Sequence, residues 1–319
     1  MSKALQTIQT VKPATTDLAL RLGLLIFVRG PLRPHVDALE DLWVRLQSGL
    51  LRRRFTRYRL GSDTAWTALP ESSKSSFAEV FEMRSPLVGR WGLELAADGD
   101  PGSIEQEGPV LQLSDLAPVR GMERASHLRV LFPDETSIGT VAALGQWAIN
   151  RLPFWWGAAG FVFHHTSGTM FTAHTRMAAL AKRYWGVQIQ DMGALQWDAL
   201  RGMPGVNWLT LVGNEFARAR DMSVEGLGDD EASLKTEGVF QRRGLHGVAL
   251  AAGKTPLRGD INVGEDLDAY VRIGRRIQPL LLTEHTPLFG PFCRPEVMGA
   301  WLGRFSAPQA WLECDIRNE

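Results

Sequence analysis

The chain has 319 residues, of which 45% are hydrophobic and 22% charged, and its 35 Lys and Arg balance 35 Asp and Glu. This apolar content is that of a folded globular protein and excludes a disordered chain. A formal charge of zero gives no general electrostatic pull toward nucleic acid or an anionic membrane.

Residues 1–16 read as a flexible lead-in without the apolar core of a signal peptide. The apolar run at 18–28 is interrupted by Arg21 and is too short to span a bilayer. The two cysteines, Cys293 and Cys314, are too few for a disulfide framework and too far apart for a metal knuckle. They fit thiols of a reducing compartment, and a cytoplasmic location is expected.

Residues 18–29 predict a strand, stopped by Gly30-Pro31. Pro34 opens a helix whose face carries Val36, Leu39, Leu42, Leu46 and Leu50. Phe55, Tyr58 and Leu60 suggest a strand. Pro70 and Pro86 bracket a short helix around 77–81. Strands are predicted at 92–96, 109–113 and 127–132, separated by turn residues.

Ser137 is a suitable N-cap for a second helix, striped by Ile138, Val141, Leu144, Trp147 and Leu152 and ended by Pro153. A strand at 157–164, a helix at 177–184 and a strand at 206–212 follow. A hairpin is predicted over 239–243 and 247–251, then a third helix over 266–282 with Glu265 and Asp266 at its dipole-favoured start. The tail from 286 is rich in proline and aromatics and is read as packed.

Helices are too few for a βαβ series. The expected fold is α+β, a mixed, largely antiparallel sheet flanked by helices. The strand–helix–strands order recurs loosely in both halves, as two duplicated lobes would. The expected organisation is the lead-in, a single α+β domain over 17–285, and a packed extension over 286–319.

No nucleophile elbow, P-loop or zinc-protease motif occurs. No catalytic residue, metal ligand or cofactor site is therefore assigned. His164 and His165 are adjacent on a strand and point to opposite faces, which disfavours one shared ion even with His174 nearby. Cys293 has no evident base. An enzyme using His164, His165 and His174 with acids such as Asp191 is an alternative reading. Another is a nucleic-acid module on residues 52–59, where Arg52, Arg53, Arg54, Arg57 and Arg59 interleave with Phe55 and Tyr58. The plainer reading of those arginines is a solvated strand face.

Two stretches are acidic: 94–115 holds six acids and no Lys or Arg, and 221–237 holds six against Lys235 alone. Asp229, Asp230 and Glu231 read as an exposed loop that would complement a basic partner. Among eleven tryptophans, Trp155 and Trp185 are not explained by helix stripes and are candidate interface anchors.

Several segments resemble the bacterial immunity proteins linked to type VI secretion. LPFWWGAAGF at 152–161 is similar to that family's LPF…G.AGL.F segment. KRYWGV at 182–187 resembles its RYPG.D segment, with Trp185 in place of proline. GVNWLTLVG at 205–213 is similar to its GV.WLTFLG strand. Residues 256–260 and 268–279 resemble its P..GD turn and closing helix.

The resemblance implies a protein that neutralises a secreted effector toxin by binding and occluding it. It implies neither a cofactor nor an enzyme. The expected cytoplasmic location makes a nuclease the favoured toxin class. Asp229, Asp230 and Glu231 would then mimic phosphates, with Trp155 or Trp185 as anchors. The binding face and oligomeric state stay open at this point.

Overall fold

The computed structural model describes residues 18–51, 53–61, 63, 65–82, 90–97, 108–116, 121–165, 170–228, 235–236 and 238–317. In chain order its first half runs β1 (Leu18–Arg29), α1 (Val36–Arg45), β2 (Arg57–Leu60), β3 (Thr67–Ala68), α2 (Glu71–Ser75), α3 (Phe77–Glu82), β4 (Arg90–Ala96), β5 (Val110–Leu116) and β6 (Ala125–Leu131). Next come α4 (Ile138–Arg151), β7 (Trp156–His165), α5 (Met170–Arg183), β8 (Gln188–Ile189), α6 (Met192–Asp198), β9 (Leu209–Gly213) and α7 (Asn214–Arg218). The chain closes with β10 (Val239–Arg243), β11 (Gly247–Ala252), α8 (Asp268–Arg276), α9 (Pro295–Leu302) and α10 (Pro308–Glu313).

The strands form one 11-stranded sheet in the order β10-β11-β9-β7-β1-β6-β5-β4-β2-β3, with β8 added parallel to β7. The other described pairs are antiparallel, which gives the α+β class expected. β1 is central, flanked by β6 and β7 in register at Leu25↔Arg129 and Leu25↔Ala158. A strand buried on both faces reads as a near-continuous apolar run, and Leu24, Leu25, Ile26, Phe27 and Val28 are all buried.

Side chains alternate across a strand, so the sheet has two unlike faces. One carries Leu24, Ile26, Leu111, Leu113, Leu128 and Val130 and belongs to the main core. α4 packs against β1, β9 and β11. Ser137 caps it by accepting from the Thr140 amide at 3.1 Å, as its sequence predicts, and Gly145 lets it approach Leu209 closely.

The third predicted helix is shorter than its apolar stripe. α8 ends at Arg276 and the chain passes into a 3-10 turn at Gln278–Leu280. Pro279 lacks the amide that would extend the helix. α5 begins at Met170, seven residues before the predicted start, and the expected strand at 206–212 is β9, shifted to Leu209–Gly213. The aromatic tail is packed: Phe292, Trp301, Phe305 and Trp311 are buried.

Candidate protein-docking site

The second face of the sheet is polar at its β6–β2 end. Register places Arg129, Gln112, Glu94 and Arg59 opposite one another on β6, β5, β4 and β2. Their side chains join end to end. Gln190 accepts from Arg129 Nε at 3.0 Å, and Arg129 Nη1 donates to Gln112 at 3.1 Å. Gln112 donates to Glu94 at 2.7 Å, and Arg59 closes the row on Glu94. Burial pulls the Arg129 guanidinium down to about 10, opposed by the charges of Glu94 and Asp191. A buried charge needs such partners, so this row is internally satisfied. Glu94, part of the first acidic stretch, is neutralised inside it.

The histidines gather differently from the sequence expectation. His165 and His174 lie with rings 5.6 Å apart, and His174 Nε2 is 3.6 Å from Asp191 Oδ2. His174 is buried and stacks on Phe289. Burial lowers its pKa, helped by His165 and opposed by Asp191. Asp191 meanwhile caps α6 by accepting from the Ala194 amide at 2.9 Å. Among the described residues, no group of three or more His, Cys, Asp or Glu is arranged to hold a metal ion.

The arginine cluster is largely occupied within the chain. Arg59 holds Glu94 and lies 4.7 Å over the Trp66 ring, and Arg53 is 3.9 Å from Glu135. Arg57 also has a partner, Arg54 is exposed, and Arg52 lies outside the described residues.

Asp229, Asp230 and Glu231 also lie outside the described residues, on the connection leading to β10. Trp155 and Trp185, the candidate anchors, are buried at 5% and 8% exposure. Trp155 packs on Phe216 and under Arg29. Trp185 donates to the Lys182 carbonyl at 2.9 Å. Aromatics this large are usually buried for their apolar area, and a doublet beside proline in sequence carries no sign of which way its rings face.

An open concavity lies at the other end of the sheet. Between α4 and the β10–β11 hairpin runs a groove of about 740 Å³. Ala249 and Ala251 form its floor, Ala142, Ala143 and Gln146 one wall, and Phe240 the other. Small side chains at Ala142, Ala143, Ala249 and Ala251 leave the space between the helix and the hairpin unfilled. Lys235, Arg242 and Lys254 rim it, and no Asp or Glu is among its described lining residues. The apolar stripe of α4 marks its buried face, and nothing in the helix sequence marks this outward one.

The model for the family described as TsiV, type VI immunity for VRR-NUC, matches residues 110–305. The chain belongs to the TsiV family. No curated protein matches it in sequence. Its fold is similar to that of the Pseudomonas aeruginosa T6SS protein PA0821, with a TM-score of 0.67 at 16% identity, over 92% of this chain and 85% of that one. The TsiV match runs from β5 to just past α9, and it includes both the groove and the motif segments. Those segments meet in space. The amides of Trp185 and Gly186 donate to the carbonyls of Gly259 and Arg258 at 3.1 and 2.8 Å. Gly160 of the first segment faces Asn207 of the third. The segments that resemble the family thus touch one another across the fold. No described helix is long and apolar enough to cross a membrane.

Proposed function

We propose that this TsiV-family chain is a cytoplasmic antidote that binds a VRR-NUC nuclease effector and covers the surface on which the nuclease takes nucleic acid. The observation that carries this reading is the family match over residues 110–305. It acts by stoichiometric binding and not by turnover. Asp229, Asp230 and Glu231 present carboxylates to cations that would otherwise hold phosphates, which speeds and orients docking. The polar row from Arg59 to Gln190 supports the reading indirectly, since a satisfied buried network fixes the sheet that must hold the docking residues still.

The test is inhibition of the purified effector's nuclease activity as the chain is titrated in. Activity should vanish near one equivalent, and the chain should rescue cells expressing the effector. Reversing all three acids (Asp229→Lys, Asp230→Lys, Glu231→Lys) should weaken binding by tenfold or more, about 1.4 kcal/mol. Inhibition by substoichiometric chain would instead indicate catalysis, and unchanged affinity after the reversal would remove the acids from the interface.

A further inference from the structure

We infer that the groove between α4 and the β10–β11 hairpin is the socket for an amphipathic helix of the effector that carries acidic residues beside its apolar face. The inference rests on the immunity reading above and deepens it by giving the docking segment's chemistry.

Three observations carry it. The groove is open and encloses about 740 Å³. Its walls and floor are largely apolar, with four alanines and the half-buried ring of Phe240 beside Gln146. Among its described lining residues the charges are cationic: Arg242 and Lys254 stand beside it, with Lys235, which has a partner of its own, at one end.

A helix is the occupant these walls suit. On α4, Ala142 and Gln146 lie one turn apart, with the exposed Ala143 beside them. The two alanines leave room for a second helix to approach, and a helix laid in an apolar groove is a recurring recognition mode. The flanking cations then select acidic positions on the incoming helix, raising the association rate and setting its direction.

The experiment uses the full chain and the effector with its nuclease inactivated, with affinity measured calorimetrically for wild type and variants in parallel. Ala143→Trp fills the groove from an exposed helix position, and Ala251→Trp fills it from the floor. Arg242→Glu with Lys254→Glu reverses the rim. Each tryptophan should weaken binding by about 30-fold or more, and the charge reversal should slow association and flatten its salt dependence. Circular dichroism and the melting temperature establish that each variant is folded. Should Ala251→Trp fail to fold, Ala143→Trp, on an exposed helix surface, decides the matter. Wild type binding with the filled and reversed variants unchanged overturns the socket alone. Wild type failing to bind the effector overturns the immunity reading, and the socket with it.

Discussion

Arg183 and Asp260 form a two-pronged pair, Nε to Oδ1 at 2.9 Å and Nη2 to Oδ2 at 2.7 Å. Arg183 closes α5 and Asp260 sits in the turn leading toward α8. Asp260 is buried, while Arg183 stays half exposed. The geometry is the fork that a guanidinium offers a carboxylate. The same carboxylate accepts from the Asn262 amide at 3.1 Å, and the Asp260 amide donates to Glu265 at 3.0 Å. Two distant family segments are thereby locked together.

The first prediction follows from that lock. The Arg183 hydrogen bonds hold the Asp260 carboxyl below the usual carboxylate range. Its contribution is full above the unfolded pKa and is lost as pH falls through the lower folded value. Asp260→Asn keeps one acceptor but turns an NH2 toward the guanidinium. The urea midpoint at neutral pH should fall, and the deficit should narrow in acid. An equal deficit at every pH would show that the charge is not what matters.

A second prediction concerns Gly160, at φ +150°, where a Cβ would stand 2.0 Å from Asn207 Oδ1. Asn207 cannot yield without cost, because its Oδ1 accepts from the Trp208 amide at 2.8 Å. Gly160→Ala should destabilise by about 3 kcal/mol or more. The same change in an Asn207→Ala background should cost less, since the clashing atom is gone. Simple additivity in this double-mutant cycle would break the proposed contact.

His127 makes a third. It is fully buried on β6, and burial first, with Arg129 second, pushes its pKa down to about 3. A histidine that folding keeps neutral binds its proton more readily when unfolded. Stability should therefore be complete above about pH 6.5 and fall toward pH 3, by about 1.4 kcal/mol per unit for this group. His174, also lowered by burial, adds to the same limb. Unfolding free energies at pH 8 and pH 5 should converge in His127→Leu relative to wild type. A variant whose loss between those two values equals that of wild type would exonerate His127.

Arg304 supports a fourth. Its side chain is 0% exposed, with the guanidinium 4.2 Å over Trp301 and 4.6 Å over Phe305. It donates to the carbonyls of Trp185 and Trp301, each at 2.9 Å, and among the described residues it meets no carboxylate. Burial pulls it down to about 9. Arg304→Ala opens a cavity between two rings and should cost roughly 2–5 kcal/mol. Arg304→Met keeps the stem packed and removes a buried charge, so it should cost clearly less. Thermal denaturation separates the two, and equal losses would assign the role to the hydrogen bonds.

The sequence was most legible where one physical signal dominated. The apolar run of β1, the Ser137 cap of α4 and the β10–β11 hairpin all appear where periodicity and turn residues put them. Short elements were missed: β8 is two residues paired only through β7, and α6 and α7 are single turns or little more. Such elements are made by tertiary contact and leave almost no pattern of their own. The tail helices α9 and α10 were legible only as a packed aromatic segment; their prolines sit at helix starts, where proline is tolerated, and by themselves do not mark a helix.

The candidate site was harder to see than the fold. A groove is defined by what its lining residues lack, and Ala142, Ala143, Ala249 and Ala251 look featureless in a string of letters. The aromatic anchors expected at Trp155 and Trp185 are buried. The row from Arg59 to Gln190 also escaped the sequence, since its members are joined by strand register and not by spacing along the chain.

The central place of β1 has a consequence for timing. The first described strand finds its two partners, around Arg129 and Ala158, only after much of the chain has left the ribosome. Pairings so distant in sequence fold slowly, because the intervening chain must be ordered before they form. An N-terminal fragment has neither β6 nor β7 to close on and exposes the apolar strand instead. The core of the sheet can therefore close only once the chain has been made past β7, about halfway along its length.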